Sequence, residues 1–232
     1  MSRRLTFELG ALALAAALAL ALRWWAIGIY QIPSPSMLPR LMPGDYLLVE
    51  KWPFAVQHRD PRRGDIVILR IGRKAYAKRV IALPGDRVAL RAGRLILNDR
   101  TVPRWRVADF LFAPADQMSC RAPEPQPDGG PLCRATRYRE LPAEGRAYDV
   151  LDLGGGDGPD FEPATVPAGH VFVLGDNRDR SDDSRSTLGM VPAEAVIGRA
   201  GIILFSTDTR ARLSDPGRWW ASIRWDRIGR GF

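Results

Sequence analysis

Residues 75–99 read AYAKRVIALPGDRVALRAGRLILND. Up to Leu83 the run mixes β-branched and aliphatic residues with polar ones, the pattern of a strand. Pro84-Gly85-Asp86 ends it with a strong turn. Two more apolar stretches flank Gly93 and read as a hairpin. Strand, turn and hairpin in close succession predict antiparallel β structure, and the pattern recurs in both directions. DYLLVEKW (45–52) and DIVILRI (65–71) are strand-like, with PRRG (61–64) turning between them. YDVLDL (148–153), HVFVL (170–174) and AVIGRAGIILFS (195–206) continue the series. No long amphipathic helix and no repeat interrupts it. APEPQPDGGP (122–131) and DLGGGDGPD (152–160) read as loops, so residues 103–165 form a loop-rich insertion in a β core.

The N-terminal segment is of another kind. Leu5–Leu22 is LTFELGALALAAALALAL, with Glu8 its one charge. As a helix it spans about 27 Å, just short of a hydrocarbon core, and RWWAIGIY extends it. Trp24 and Trp25 beside Arg23 suit the headgroup zone. A cleavable leader has a shorter apolar core followed by small residues, whereas Arg-Trp-Trp follows here, so the segment reads as an uncleaved anchor. Arg3 and Arg4 precede it, which places the N-terminus in the cytoplasm and the rest on the outer side of the membrane. The expected organisation is a cytoplasmic start (1–4), an anchor (5–30), a core in two parts (31–102 and 166–210) around the insertion or second β domain (103–165), and a basic aromatic tail (211–232).

The 232 residues carry a formal charge of +8, from 34 basic and 26 acidic residues. That charge is spread along the chain, and no helix-turn-helix or zinc-finger pattern accompanies it, so nucleic acid is not an expected partner. Cys120 and Cys133 have twelve residues between them and no nearby second pair or histidine, which is not metal spacing. In an oxidising compartment they can close a loop; otherwise they are two thiols. No metal and no cofactor is expected. The ending RWWASIRWDRIGRGF (218–232) fits two readings equally: an interfacial segment, or one whose tryptophans pack on the core.

QIPSPSMLPR (31–40) follows the anchor, and its three prolines exclude a helix interior or a central strand. The prolines fix the backbone around Ser34 and Ser36, and two residues of extended chain put both hydroxyls on one face. A hydroxyl nucleophile needs a base. His58 sits in a loop and His170 opens a strand, and neither context is promising. A lysine is the other option. Near pH 7.5 only ~0.1% of an ordinary lysine is neutral, but burial lowers its pKa by ~3–5 units. Lys78 lies inside a strand, and alternation sets it opposite Arg79, so that one can point inward and the other outward. In residues 175–185 arginines alternate with acids, which favours internal ion pairs over a calcium site.

These residues resemble the bacterial type I signal peptidases, membrane-anchored serine proteases with a Ser/Lys dyad. Four blocks carry the likeness in family order: QIPSPSMLPRLMPGDYLLVEK (31–51), RGDIVI (63–68), YAKRVIALPGDRV (76–88) and GDNRDRSDDSRSTLGMVP (175–192). The resemblance implies two antiparallel β-sheet domains behind one transmembrane helix. It implies Ser36 as nucleophile and Lys78 as general base. Ser34 would join the Ser36 N–H in an oxyanion hole, and Ser181 would orient the lysine. Asp183 and Arg185 would form an ion pair near the site, with Asp176, Asn177, Arg178 and Asp179 as loop scaffold. The implied substrates are exported preproteins with small residues at the first and third positions before the cut. The enzyme would cut them at the outer face of the cytoplasmic membrane, against the phospholipid surface and downstream of a Sec-type export machinery. Arg40 stands where the family usually has Thr, Thr187-Leu188 where an aromatic pair often stands, and one span is visible where some members have two.

A specialised sibling, such as a conjugation pilin peptidase, fits the same residues. Self-cleaving repressors share the chemistry but need a DNA-binding domain and a cytosolic setting, which the anchor argues against. A non-catalytic tethered binding protein is disfavoured by the Ser36/Lys78 pair.

Overall fold

The structure, a computed structural model, describes residues 3–51, 61–112, 123–126, 129–153, 160–208 and 220–232. His58, Cys120, the glycine-rich 154–159 and the first part of the tail (211–219) lie outside these residues, as do the side chains of Trp24 and Trp25. The chain opens with helix α1 (Arg3–Ala26). Leu9, Leu12, Leu14 and Leu18 on it are exposed. Among the described residues no helix is long and apolar enough to cross a membrane.

Sixteen described strands follow: β1 (Ile27–Gln31), β2 (Asp45–Glu50), β3 (Ile66–Ile71), β4 (Lys74–Ala82), β5 (Arg87–Arg91), β6 (Arg94–Leu97), β7 (Arg100–Thr101) and β8 (Arg104–Arg106). Then come β9 (Phe110–Phe112), β10 (Pro123–Gln126), β11 (Gly129–Glu140), β12 (Tyr148–Asp152), β13 (Phe161–Thr165), β14 (His170–Leu174), β15 (Val191–Pro192) and β16 (Val196–Ser206). Every pairing between these strands is antiparallel. A seven-stranded sheet runs β1-β2-β16-β3-β4-β14-β15, and a four-stranded one β13-β5-β6-β7. A third is built around β11, with β8, β9, β10 and β12 as its partners.

The opening stretch folds as its pattern predicts. β4 runs to Ala82, the Pro84-Gly85-Asp86 turn follows with Gly85 at φ 88°, and β5 and β6 form the hairpin. Its turn takes Ala92 and Gly93 at φ 45° and 66°, the left-handed pair that matches strand twist. Two readings fail. Ile27–Tyr30 does not extend the anchor helix but pairs along its length with β2, from Ile27 opposite Glu50 to Gln31 opposite Tyr46. APEPQPDGGP is not loop throughout: β10 and the start of β11 lie in it. Proline is tolerated there because β10 is an edge strand, and β11 draws its stability from partners on both sides.

The central strands are covered on both faces, which is why β3 reads as a continuous apolar run. One face packs Val67, Leu69 and Val80 with Val171 and Val173. On the other, Ile66 and Ile68 pack with Met37, Leu41, Leu47 and Ile203. A further cluster joins Ile81 and Phe172 to Val88, Leu90, Tyr148 and Val150, and so fastens the hairpin and β12 to the main sheet. The described part of the tail packs on the core. Arg227 donates to Asp45 at 3.0 and 2.5 Å, Ile223 is buried, and Trp220 and Trp225 stay exposed against each other with centroids 5.2 Å apart.

Candidate active site

The serine turn is held by its apolar residues. Ser34 is extended, Pro35–Met37 make one turn of 3-10 helix with proline at its start, and Leu38 N–H donates to the Pro35 carbonyl at 3.1 Å. Met37, Leu38 and Leu41 are fully buried, which pins the turn to the sheet beneath it. Ser36 is left facing the middle of β4, where the Lys78 amine lies 3.1 Å from its hydroxyl oxygen. The Ser34 hydroxyl is also 3.1 Å from that of Ser36. Lys78 Nζ donates to Ser181 Oγ at 2.9 Å. Ser36 and Ser181, far apart in sequence, thus meet at one lysine that is only 2% exposed, with Ser34 beside Ser36.

Burial is the main reason that the Lys78 pKa falls from 10.5 to about 8; Asp183 and Asp182 pull the other way but do not offset it. Ser36, Lys78 and Ser34 share a cavity of about 400 Å³ with Ile32, Ile68, Ala75 and Ala77. Its walls are mostly apolar, with the two hydroxyls and the lysine among its few polar groups, the form of a pocket that binds a ligand beside a reacting group.

Lys78 and Arg79 do take opposite faces, with Lys78 opposite Val67 and Arg79 opposite Ile66, but the expectation of one inward and one outward residue is wrong. Both are buried, because both faces of β4 are covered. Arg79 donates to both carboxylate oxygens of Asp176, at 2.7 and 2.6 Å, and to the Gly64 carbonyl at 2.7 Å. It also stacks 4.6 Å from the Tyr148 ring.

The loop after β14 wraps the serine turn. Asn177 clamps it twice: its N–H donates to the Ser36 carbonyl and its Nδ2 to the Pro35 carbonyl, both at 3.1 Å. Arg178 pairs with Glu140 at 2.9 and 2.5 Å, both side chains buried. The Asp179 carboxylate accepts the Leu153 N–H at 2.6 Å. Arg185 binds both oxygens of Asp183 at 2.9 Å and the Arg178 carbonyl at 2.7 Å. Desolvation pushes the Asp183 carboxyl up, but Arg185, the Gly175 N–H and Ser181 outweigh it and hold it below the usual range. Thr187 donates its hydroxyl to Asp182 at 2.6 Å and so ties off the loop.

Two residues here escape a reading of the sequence. Glu140 is a lone acid in the arginine-rich RATRYRE (134–140), a visible oddity, but nothing local says that its partner is Arg178. Gly175 looks like any glycine at a strand end. A Cβ there would overlap the Ser181 side chain and come within 2.5 Å of the Ser36 carbonyl oxygen. Of the other residues considered, His170 only contacts the Ala168 carbonyl at 3.0 Å. Cys133 is buried on β11 and disulfide-bonded.

The chain is similar over nearly its whole length to proteins of one kind. The family model described as signal peptidase, peptidase S26, matches residues 6–205. Signal peptidase I of Rickettsia prowazekii is 28% identical over 95% of this chain and 91% of its own length. That of Rickettsia rickettsii is 30% identical over 96% and 91%, and that of Pseudomonas aeruginosa 31% identical over 81% and 68%. The chain belongs to the signal peptidase family, peptidase S26, and is a serine endopeptidase.

Proposed function

We propose that this protein is a membrane-anchored peptidase that removes N-terminal signal peptides from exported preproteins at the outer face of the cytoplasmic membrane, with Ser36 as nucleophile and Lys78 as general base. The observation that carries this reading is the buried amine of Lys78 3.1 Å from the Ser36 hydroxyl, with its pKa brought down to about 8. With substrate bound, the neutral amine takes the Ser36 proton as Oγ attacks the scissile carbonyl. The tetrahedral oxyanion is met by the Ser36 N–H and the Ser34 hydroxyl. Lys78 then hands its proton to the departing amine, and water, activated by the same lysine, releases the acyl group. Ser181 holds the amine in line, and the 176–185 loop, through Asn177, holds the serine. α1 is read as the anchor because Leu9, Leu12, Leu14 and Leu18 on it are exposed, and an apolar surface of that kind suits a membrane better than water. Preproteins arrive from a Sec-type machinery, so a serine at most about 45 Å along the chain from Arg23 suits a cut just outside the membrane. The seven-stranded sheet with the β5–β7 hairpin region forms the catalytic domain, and β8–β12 form the second β domain.

Ser34→Ala is expected to lower kcat by ~10²–10³ with KM nearly unchanged, as for loss of one oxyanion donor. An unchanged kcat with a raised KM would make Ser34 a ground-state contact only. The reading as a whole is tested with a preprotein carrying Ala at the first and third positions before the cut, incubated with the full chain in detergent. Cleavage is expected at that bond alone. Phe at the first position should lower kcat/KM by at least ~10²-fold, as expected of an enzyme whose substrates carry small residues there. Equal cleavage of the Phe substrate would remove the assignment.

A further inference from the structure

A second cavity, of about 830 Å³, opens on the far side of the serine turn, where Pro39 and Arg40 form part of its wall. Ten arginines line it, with two acids, Asp65 and Asp149. Several of these arginines are neutralised by carboxylates, such as Arg79 by Asp176 and Arg227 by Asp45. Asp149 alone serves both Arg137 and Arg139. Among the described residues no carboxylate pairs with Arg40, Arg62 or Arg146. The Arg40 guanidinium donates to the Gly231 carbonyl and lies 5.3 Å from the centroid of the Phe232 ring. The Nε of Arg63, also in the wall, is buried without an acceptor. Burial first, and then the charge of Arg79, hold the Arg40 guanidinium below its ordinary pKa, as expected where cations crowd.

We propose that this groove binds a phosphate group, with Arg40, Arg62 and Arg146 as its ligands. Guanidinium forks match the oxygens of phosphate in paired hydrogen bonds, and three wall guanidiniums with no carboxylate partner among the described residues favour an anion with several acceptor oxygens. Two sources present this chemistry: free phosphates, and the headgroups of anionic phospholipids. The fold offers the second a route. Arg199 in the groove wall is opposite Glu50, which is opposite Ile27, the residue after α1. Two strand spacings, about 10 Å, therefore separate one end of the groove from the end of α1. Only this lipid route rests on the membrane reading; the anion site itself does not.

The test uses the full chain in neutral detergent at low ionic strength. Calorimetry measures binding of pyrophosphate, of dihexanoyl-phosphatidylglycerol below its micelle concentration, and of a tetraglutamate peptide. Arg62→Gln/Arg146→Gln is the main variant, since both side chains are exposed and the fold does not depend on them. Arg94→Gln/Arg100→Gln, on the β6–β7 hairpin and outside the groove, removes the same charge elsewhere. The groove variant should weaken at least one phosphate ligand ~10-fold or more, with the distal variant near wild type. Adding Arg40→Gln should weaken it further. Loss confined to pyrophosphate assigns the site to free phosphates, and loss confined to the lipid assigns it to headgroups. The proposal is overturned if both double variants bind alike. It is also overturned if tetraglutamate binds as tightly as the phosphates, which would make the groove a carboxylate site for acidic peptide. Cleavage assays play no part, so failure here leaves the peptidase reading standing.

Discussion

Lys78→Met and Ser36→Ala are each expected to lower the cleavage rate by ~10⁴-fold or more, and the double variant should be little worse than either single one, because the two residues act as a unit. The wild-type rate should rise with pH through about 8, where the Lys78 amine becomes neutral. The same burial acts on stability. Above pH 10.5 the amine is neutral in both folded and unfolded chains and contributes nothing. As pH falls from 10.5 toward 8, the unfolded chain takes up a proton that the folded site resists, so the folded state loses ground. Below about 8 the whole cost is present, on the order of 3 kcal/mol. Lys78→Met, similar in shape and without charge, should therefore melt no lower than wild type at neutral pH, and its advantage should shrink as pH approaches 10.5. Melting curves of both proteins from neutral pH upward, beside rate profiles of the wild type, decide the matter. A Lys78→Met protein clearly less stable at neutral pH would show a charged, ion-paired lysine, and the proposed mechanism would have no base.

Gly175→Ala should be the most damaging conservative change outside the reacting groups. The added methyl has to displace both the Ser181 side chain and the Ser36 carbonyl, the two supports that set the lysine against the serine. Neither can yield freely. The Ser36 carbonyl accepts the Asn177 N–H, and the Gly175 N–H is itself held by Asp183 at 3.0 Å. Overpacking of this kind costs ~1–3 kcal/mol of stability. A shift of about 1 Å between nucleophile and base costs ~10²-fold in rate. Trimming Ser181 as well, in Gly175→Ala/Ser181→Ala, removes the hydroxyl but leaves the Ser181 Cβ and the Ser36 carbonyl in the way, so stability should recover only in part. An alanine variant with wild-type rate and melting temperature would mean that the turn has slack the contacts do not reveal.

The strands were legible because their cause is local. Alternating apolar runs bounded by Pro-Gly-Asp and PRRG turns place β2 to β6 without tertiary information, and the mainly β class follows from them. The four family blocks, quoted in order, were enough to single out Ser36, Lys78, Ser34 and Ser181. Where local cause is weak, reading fails. Ile27–Tyr30 is as apolar as the helix before it, and only pairing with β2 makes it a strand. Proline and glycine in APEPQPDGGP suggest loop, but pairing around β11 overrides them. Arg79 was expected to face water because strands usually have a wet face, and the sheet happens to be covered on both. By itself, then, the sequence determined the main strands of the core and which residue types could do the chemistry. Only the tertiary structure decided that Asp176 neutralises Arg79, that Glu140 holds Arg178, that Gly175 must lack a side chain, and that three arginines line a cavity with no carboxylate partner among the described residues. Each of these is a distance between residues far apart in the chain, and charge and packing act through distance in space, which no local pattern encodes.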